Sequence, residues 1–508
     1  MKRTTLSLIA VTATLAAVTG AAALTAPDGT MTRTLEASVP LPVERTSLLC
    51  PVPSTSEVAE TTYTSYTPLS KGPGGERVPS NAPSATAELR PAAAAGTPGE
   101  APAKPPKPPK APATVTEPGT PVTAEANGAA APALTGSANG PLAPGWTVQQ
   151  TTVVPAGGSR GLLGVGCTAP DTDFWFPAAS TAKQRQDYVH LTNPDDTAAV
   201  ADIELYGPEG PLTTHITEGI PVPARSSVPV LLSTLTTDPA KDDLTVHVTT
   251  RSGRVGAVLG SADDKLGSDW LPASADPAGT AVLPGIPADA TSVRLVAYAP
   301  GDDDADLKVQ LVTPTGTIVP ASAGALHVKS GMTAAVDLAD LTRGEPGSLL
   351  LTPSDPKKAT PVVAALRVVR GKGDRQEVAF IPATAAIDGR ATVADNRSKG
   401  ATLTLTAPGA AAEVRITASA GSQGGTPVTR NVTVKAGTTT SLAAPLPEGL
   451  KGSYALTVER LSGGPVHAAR MLELPQDGIP MFTVQTLADD RGTVEVPDAR
   501  QDLSVLDD

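Results

Sequence analysis

Gly157-Gly158-Ser159-Arg160-Gly161 spells the G-x-S-x-G pattern that can hold a serine nucleophile at a sharp turn. That chemistry needs the preceding strand to run into a helix, so that the hydroxyl stands over a parallel sheet. Here Leu162-Leu163-Gly164-Val165 follows and reads as a strand, so Ser159 is expected in a hairpin turn. Asp302, Asp304 and Asp306 alternate in Gly301-Asp302-Asp303-Asp304-Ala305-Asp306, as oxygen ligands do in a calcium loop. The places that an EF-hand fills with Gly and a bidentate Glu hold Leu307 and Thr313. A solvated acidic turn is the simpler reading, with a weak calcium site as the alternative.

The remaining reactive types are scattered. His190, His215, His247, His327 and His467 show no pair at ligand spacing, so neither zinc nor another cofactor is expected. No local context marks a pair of hydrolytic carboxylates. Lys104, Lys107 and Lys110, spaced by prolines, could touch an anionic wall polymer, although solvating a low-complexity segment is the simpler role. Trp146, Trp175 and Trp270 could stack on glycans, but the latter two recur in a boundary phrase and are expected to pack at domain junctions. Asn431-Val432-Thr433 is a formal glycosylation sequon.

What must position these residues is a repeat. Val222-Pro223-Ala224-Arg225-Ser226-Ser227-Val228 returns as Val328-Lys329-Ser330-Gly331-Met332-Thr333-Ala334 and as Val434-Lys435-Ala436-Gly437-Thr438-Thr439-Thr440, at steps of 106 residues. That period implies tandem domains, being too long for a solenoid. Val154-Pro155-Ala156-Gly157 resembles the same phrase, which again makes the Ser159 segment a turn before a strand. Trp175-Phe176-Pro177-Ala178, Trp270-Leu271-Pro272-Ala273 and Phe380-Ile381-Pro382-Ala383 are read as matching domain boundaries. Within each unit apolar and polar residues alternate with period two, as in Ala201-Asp202-Ile203-Glu204-Leu205 and Leu307-Lys308-Val309-Gln310-Leu311. Such spacing, without amphipathic helices, predicts an all-β protein of tandem immunoglobulin-like antiparallel sandwiches.

Residues 1–25 read as a signal peptide or N-terminal anchor: Lys2 and Arg3, an apolar stretch from Leu6 to Val18, then Ala21-Ala22-Ala23. Membrane attachment is expected only if that segment stays uncleaved. An exported chain with two cysteines predicts a Cys50–Cys167 disulfide. A net charge of −12 argues against nucleic acid as a partner. Aromatics, at 3%, are too few for an aromatic-rich glycan surface. The expected domains are 38–172, a small disulfide-closed β domain with a disordered Pro/Ala-rich insertion at about 71–145, and repeats at 173–268, 269–379 and 380–508.

With its export signal, Cys50, and Cys167 followed by Thr168-Ala169-Pro170-Asp171-Thr172-Asp173-Phe174-Trp175-Phe176 and Leu191-Thr192-Asn193-Pro194, the chain resembles a family of uncharacterised secreted actinobacterial (Streptomyces-type) proteins. The resemblance spans about Ser47 to Leu474 and implies a secreted, cell-envelope-associated protein. It carries over no catalytic residue. The leading expectation is a non-enzymatic scaffold or interaction protein, a semi-rigid rod of domains that contacts an envelope protein or wall polymer. The alternatives are a module binding cell-wall glycan or anionic polymer and, further off, an extracellular hydrolase.

Overall fold

Alternation of small apolar and polar residues builds this chain strand by strand. In Ala199–Gly207, Ala199, Ala201, Ile203 and Leu205 are buried, while Val200, Asp202, Glu204 and Tyr206 face outward. The computed structural model describes residues 39–69, 85–94, 113–321 and 323–496, and these are almost entirely β. Two units are distinguished. One contains the two-stranded sheet in which the strand beginning at Val39 pairs with Thr493–Val496. The other, Pro42–Gly492, carries the sandwiches and everything discussed below.

Four sandwiches of one strand order make up this second unit. Each has an opening strand: Arg45–Cys50, Asp173–Ala179, Ala281–Ile286 and Arg390–Asn396. Each ends in an antiparallel hairpin of a penultimate and a closing strand. The penultimate strands are Thr147–Val154, Gly256–Asp263, Val363–Lys372 and His467–Glu473. The closing strands are Gly161–Gly166, Gly267–Leu271, Arg375–Pro382 and Phe482–Leu487. The opening strand lies in one sheet and the hairpin in the other, so a sandwich is complete only when both are present.

Several expectations need correction. The first domain, expected to differ from the repeats, has their strand order. The stretch 71–145 is not one disordered insertion, because Ala87–Pro91, Thr114–Val115, Val122–Asn127 and Leu134–Asn139 are strands of that sandwich. Alanines and valines such as Ala87, Ala113, Val115 and Ala138 suffice to fill its core, alongside Leu89 and Trp146. Residues 70–84 and 95–112, with Lys104, Lys107 and Lys110, lie outside the described residues, as does the segment 1–25.

The boundary phrase is not one structural position either. Trp175 sits in an opening strand, whereas Trp270 and Phe380 sit in closing strands paired to Gly260 and Arg367. The expected boundaries at 268/269 and 379/380 therefore cut closing strands that belong to the sandwich before them. Likewise Val154–Gly157 enters the final hairpin, while Val222–Arg225 leads into the strand Ser226–Leu231, so the two are not equivalent.

The sandwiches close into a ring rather than extending as a rod. The four closing strands touch in a cycle, first to second to third to fourth and back to first. Outside that hub, each opening strand packs on the penultimate strand of the next sandwich, and Arg390–Asn396 completes the circuit on Thr147–Val154. Apolar packing holds the seams. Val296, Val378 and Phe380 of the third sandwich belong to the second's core, and Ala469, Phe482 and Val484 of the fourth to the third's. Each large side chain fully buried this way contributes roughly 1.5–3 kcal/mol. At the last seam Leu162 packs on Leu472 and Met481, and Tyr66 on Ala394 and Ala455.

Candidate functional site

The residues singled out for chemistry serve other ends in the structure. Ser159 lies in the hairpin between Thr147–Val154 and Gly161–Gly166, with no helix after it. Asp304 accepts from the Ser330 amide at 2.9 Å and faces His327 Nε2 at 3.4 Å, while Asp306 meets His327 Nδ1 at 2.8 Å. Asp302 stays in the exposed turn just before them. Among the described residues, no three His, Cys, Asp or Glu side chains are placed to hold a metal ion. Cys50 and Cys167 form the disulfide, which joins the end of the opening strand to the residue after the closing strand.

All three tryptophans are buried. Trp146 donates its Nε1–H to Ser65 Oγ at 2.9 Å in the first core. Trp175 stacks on His247 at 3.6 Å and on Tyr298 of the third sandwich at 5.5 Å. Trp270 packs against Leu163 and Val165 of the first sandwich. Asn431 is exposed on the edge strand Val428–Val434.

The most concentrated polar chemistry lies where the closing strands meet. Glycine backbone makes the room: a Cβ on Gly161 would stand 3.1 Å from Glu377 Oε1, and one on Gly267 2.8 Å from Glu377 Oε2. Into that space Arg375–Pro382 sends Glu377, whose side chain is 0% exposed. Glu377 Oε1 accepts from the Leu162 amide at 3.1 Å, and Oε2 lies 3.4 Å from Arg160 Nη2. Beside it, Asp269 Oδ1 accepts from the Gly164 amide at 3.0 Å, the Trp270 amide at 2.8 Å and the Thr483 hydroxyl at 3.1 Å. Asp269 Oδ2 and Ser268 Oγ are buried without a hydrogen-bond partner among the described residues. Two carboxyls from the second and third sandwiches thus grip backbone of the first, and a hydroxyl of the fourth completes the contact.

Desolvation governs this pair. Burial pushes the Glu377 carboxyl up to about 8, opposed by the Leu162 amide and Arg160. Burial holds Asp269 well above the usual carboxylate range, against its three hydrogen-bond donors, and the charge of Glu377 adds to the rise. Next to them Gln485 Nε2 donates to Thr483 Oγ1 at 2.7 Å. Its strand partner Arg470 is fully buried, with Nη2 donating to the Ala394 carbonyl at 3.2 Å and Nε and Nη1 unpartnered among the described residues. Such a site can hold or release protons and lock backbones together; it presents no activated nucleophile.

None of these residues was singled out from the sequence, though a signal existed. Leu271, Ile381 and Gln485 are register equivalents, pairing with Leu259, Leu366 and Arg470. Two residues earlier stand Asp269, Ala379 and Thr483, so the acid is a departure from the repeat. Glu377 stands where the second sandwich has Gly267, and Arg470 where the third has Leu366.

A match to the family of unknown function DUF5719 runs over residues 122–445. The chain belongs to the DUF5719 family. The DUF5719 match takes in Gly161, Gly164, Asp269 and Glu377 and ends before Thr483 and Gln485. No curated protein and no solved structure matches the chain.

A second titratable group at this hub sets an acid-side expectation for this DUF5719 protein. His190 packs edge-on against Trp270 at 5.1 Å, and its Nδ1 has no partner among the described residues. Burial pulls its imidazole down to about 4. The folded chain therefore binds the proton less readily than the unfolded one, and stability present above the ordinary histidine value is lost as pH falls from about 6.5 through about 4. Because the raised Asp269 and Glu377 carboxyls act in the opposite direction over the same window, the contribution is read as a difference: in urea denaturation the wild type should lose on the order of 2–3 kcal/mol relative to His190→Gln across it. Equal slopes in the two proteins would refute the assignment.

Proposed function

We propose that this protein is a non-enzymatic interaction platform that works outside the cytoplasm, in the envelope of an actinobacterium. The closed ring carries this reading. Its hub and seams commit Trp175, Trp270, Phe380, Phe482, Asp269 and Glu377 to contacts between the four sandwiches, leaving outer strands and loops as the surface for partners. A rigid array of that kind avoids the ordering cost that a flexible string of domains pays on binding. The Cys50–Cys167 disulfide suits an oxidising compartment. Buried tryptophans favour protein contact over glycan stacking.

The test uses the full chain in its producing cell. A photo-crosslinking residue at exposed Asn431 should trap a discrete protein partner, while one at buried Leu405 should trap none. Capture of wall polymer alone, or turnover of wall glycan by the purified protein, would overturn the proposal.

A further inference from the structure

We propose that the hub of closing strands is a proton-operated clasp: the first sandwich stays docked while Asp269 and Glu377 hold protons and loosens when both ionise. This goes beyond the platform reading and does not depend on what the platform binds.

Both carboxyls act on one strand. The Gly164 and Leu162 amides of Gly161–Gly166 donate to Asp269 Oδ1 and Glu377 Oε1, at 3.0 and 3.1 Å. Since the acids belong to the second and third sandwiches, these bonds cross the joints and hold no single core together. The fold does not itself demand acids there, because Ala379 and Thr483 fill the place of Asp269, and Gly267 that of Glu377. Asp269 Oδ2, unpartnered among the described residues, leaves a negative charge on that carboxyl incompletely compensated.

Few charges face the pair. The first sandwich contributes Arg160, 17% exposed, from the hairpin turn. The closing strand Gly161–Gly166 has no titratable side chain, and neither has Phe482–Leu487. Gly267–Leu271 brings only Asp269, and Arg375–Pro382 brings exposed Arg375 besides Glu377. On the neighbouring penultimate strands, buried Asp263 stands opposite Gly267 and accepts from the Lys265 and Leu266 amides, Arg370 is bound to Asp289 and Glu473 over the Phe482 ring, and Arg470 lies beyond Gln485. His190 packs edge-on against Trp270. Full ionisation thus sets two negative charges beside Arg160 and beside Arg370, the strand partner of Glu377, whose guanidinium is already paired with Asp289 and Glu473.

The titration runs in the direction the clasp needs. Burial raises both carboxyls, Glu377 to about 8. Groups raised on docking stabilise the docked state at low pH, and that contribution is lost as pH climbs from the ordinary carboxylate value through about 8.

Amide hydrogen exchange on the full chain, corrected for intrinsic rates, tests this between about pH 6 and about pH 9. Protection of Gly161–Gly166 should fall about tenfold or more, while core amides of Val293–Val296 keep theirs. The Asp269→Asn/Glu377→Gln double variant should show no such fall. A flat wild-type profile, or a variant that tracks the wild type, overturns the clasp. If the variant does not fold, infrared difference spectra of the wild type decide. A protonated-carboxyl C=O band present at about pH 6 must disappear by about pH 9, and its absence at the lower pH overturns the proposal.

Discussion

Replacing Cys50 and Cys167 together by alanine should cost the first sandwich about 4–5 kcal/mol, the chain-entropy value for a cross-link spanning 117 residues. The bond is placed to act on the whole sandwich. Cys50 ends the opening strand of one sheet, and Cys167 follows the closing strand of the other. Leu49 and Thr168 exchange backbone hydrogen bonds at 2.8 and 3.0 Å directly beside it. Both cysteines also belong to the first core, with Trp146, Val148 and Leu89. Without the bond, the segments between the strands of this sandwich add their full freedom to the unfolded state. Pulse proteolysis in urea should give earlier cuts within Arg45–Gly166 in the variant, while the third sandwich keeps its midpoint. A change below about 1 kcal/mol would mean that the Leu49–Thr168 bridge and the ring seams already hold the ends.

The sandwich architecture was legible because it rests on local pattern. Period-two alternation in segments such as Ala201–Leu205 depends only on neighbouring residues, and the 106-residue repeat reports chain length per domain. The first sandwich reads in sequence as a small disulfide-closed β domain, and its inner strands are missed for a physical reason. Its core draws on Ala87, Ala113 and Ala138, which in a Pro- and Ala-rich stretch look like a solvated linker, and the stretches around them break the period.

The ring was illegible for a different reason. Seams are made by residues that a single sandwich would also bury: Phe380 reads as core whether it faces its own sheet or the second sandwich. The hub sat between these cases. Comparing copies does expose Asp269 against Ala379 and Glu377 against Gly267. The aligned phrase begins one residue after Asp269, however, and in an acidic chain two more carboxylates carry no mark of burial. What made them a site was the glycine backbone opposite, and proximity of that kind comes only from tertiary structure.

Substituting Gly161 by alanine should break the ring at its hub, and Gly158→Ala in the same turn should not. A Cβ on Gly161 would collide with the carbonyl oxygen of Ser268 and lie 3.0 Å from its nitrogen. Those atoms are backbone of the neighbouring closing strand, so no rotamer change relieves the clash. Either Gly267–Leu271 shifts, carrying Asp269 away from the Gly164 amide, or Gly161–Gly166 lifts off and exposes Leu162, Glu377 and Met481. Overpacking of this sort costs about 1–3 kcal/mol, and the lost hydrogen bonds to the Asp269 and Glu377 carboxyls place this case at the upper end. A methyl group on Gly158 would meet nothing within 4 Å, so alanine there should leave stability unchanged or raise it by up to about 1 kcal/mol. Both glycines belong to the segment that spells a serine nucleophile motif, yet an elbow would need its flanking glycines for a strained turn. Here the second flanking glycine is required by the strand of another sandwich. Urea midpoints for the two variants and for Ser159→Ala separate these accounts. A large loss in Gly161→Ala alone fits the hub, whereas equal small effects in all three would mean that the closing strands do not meet as described.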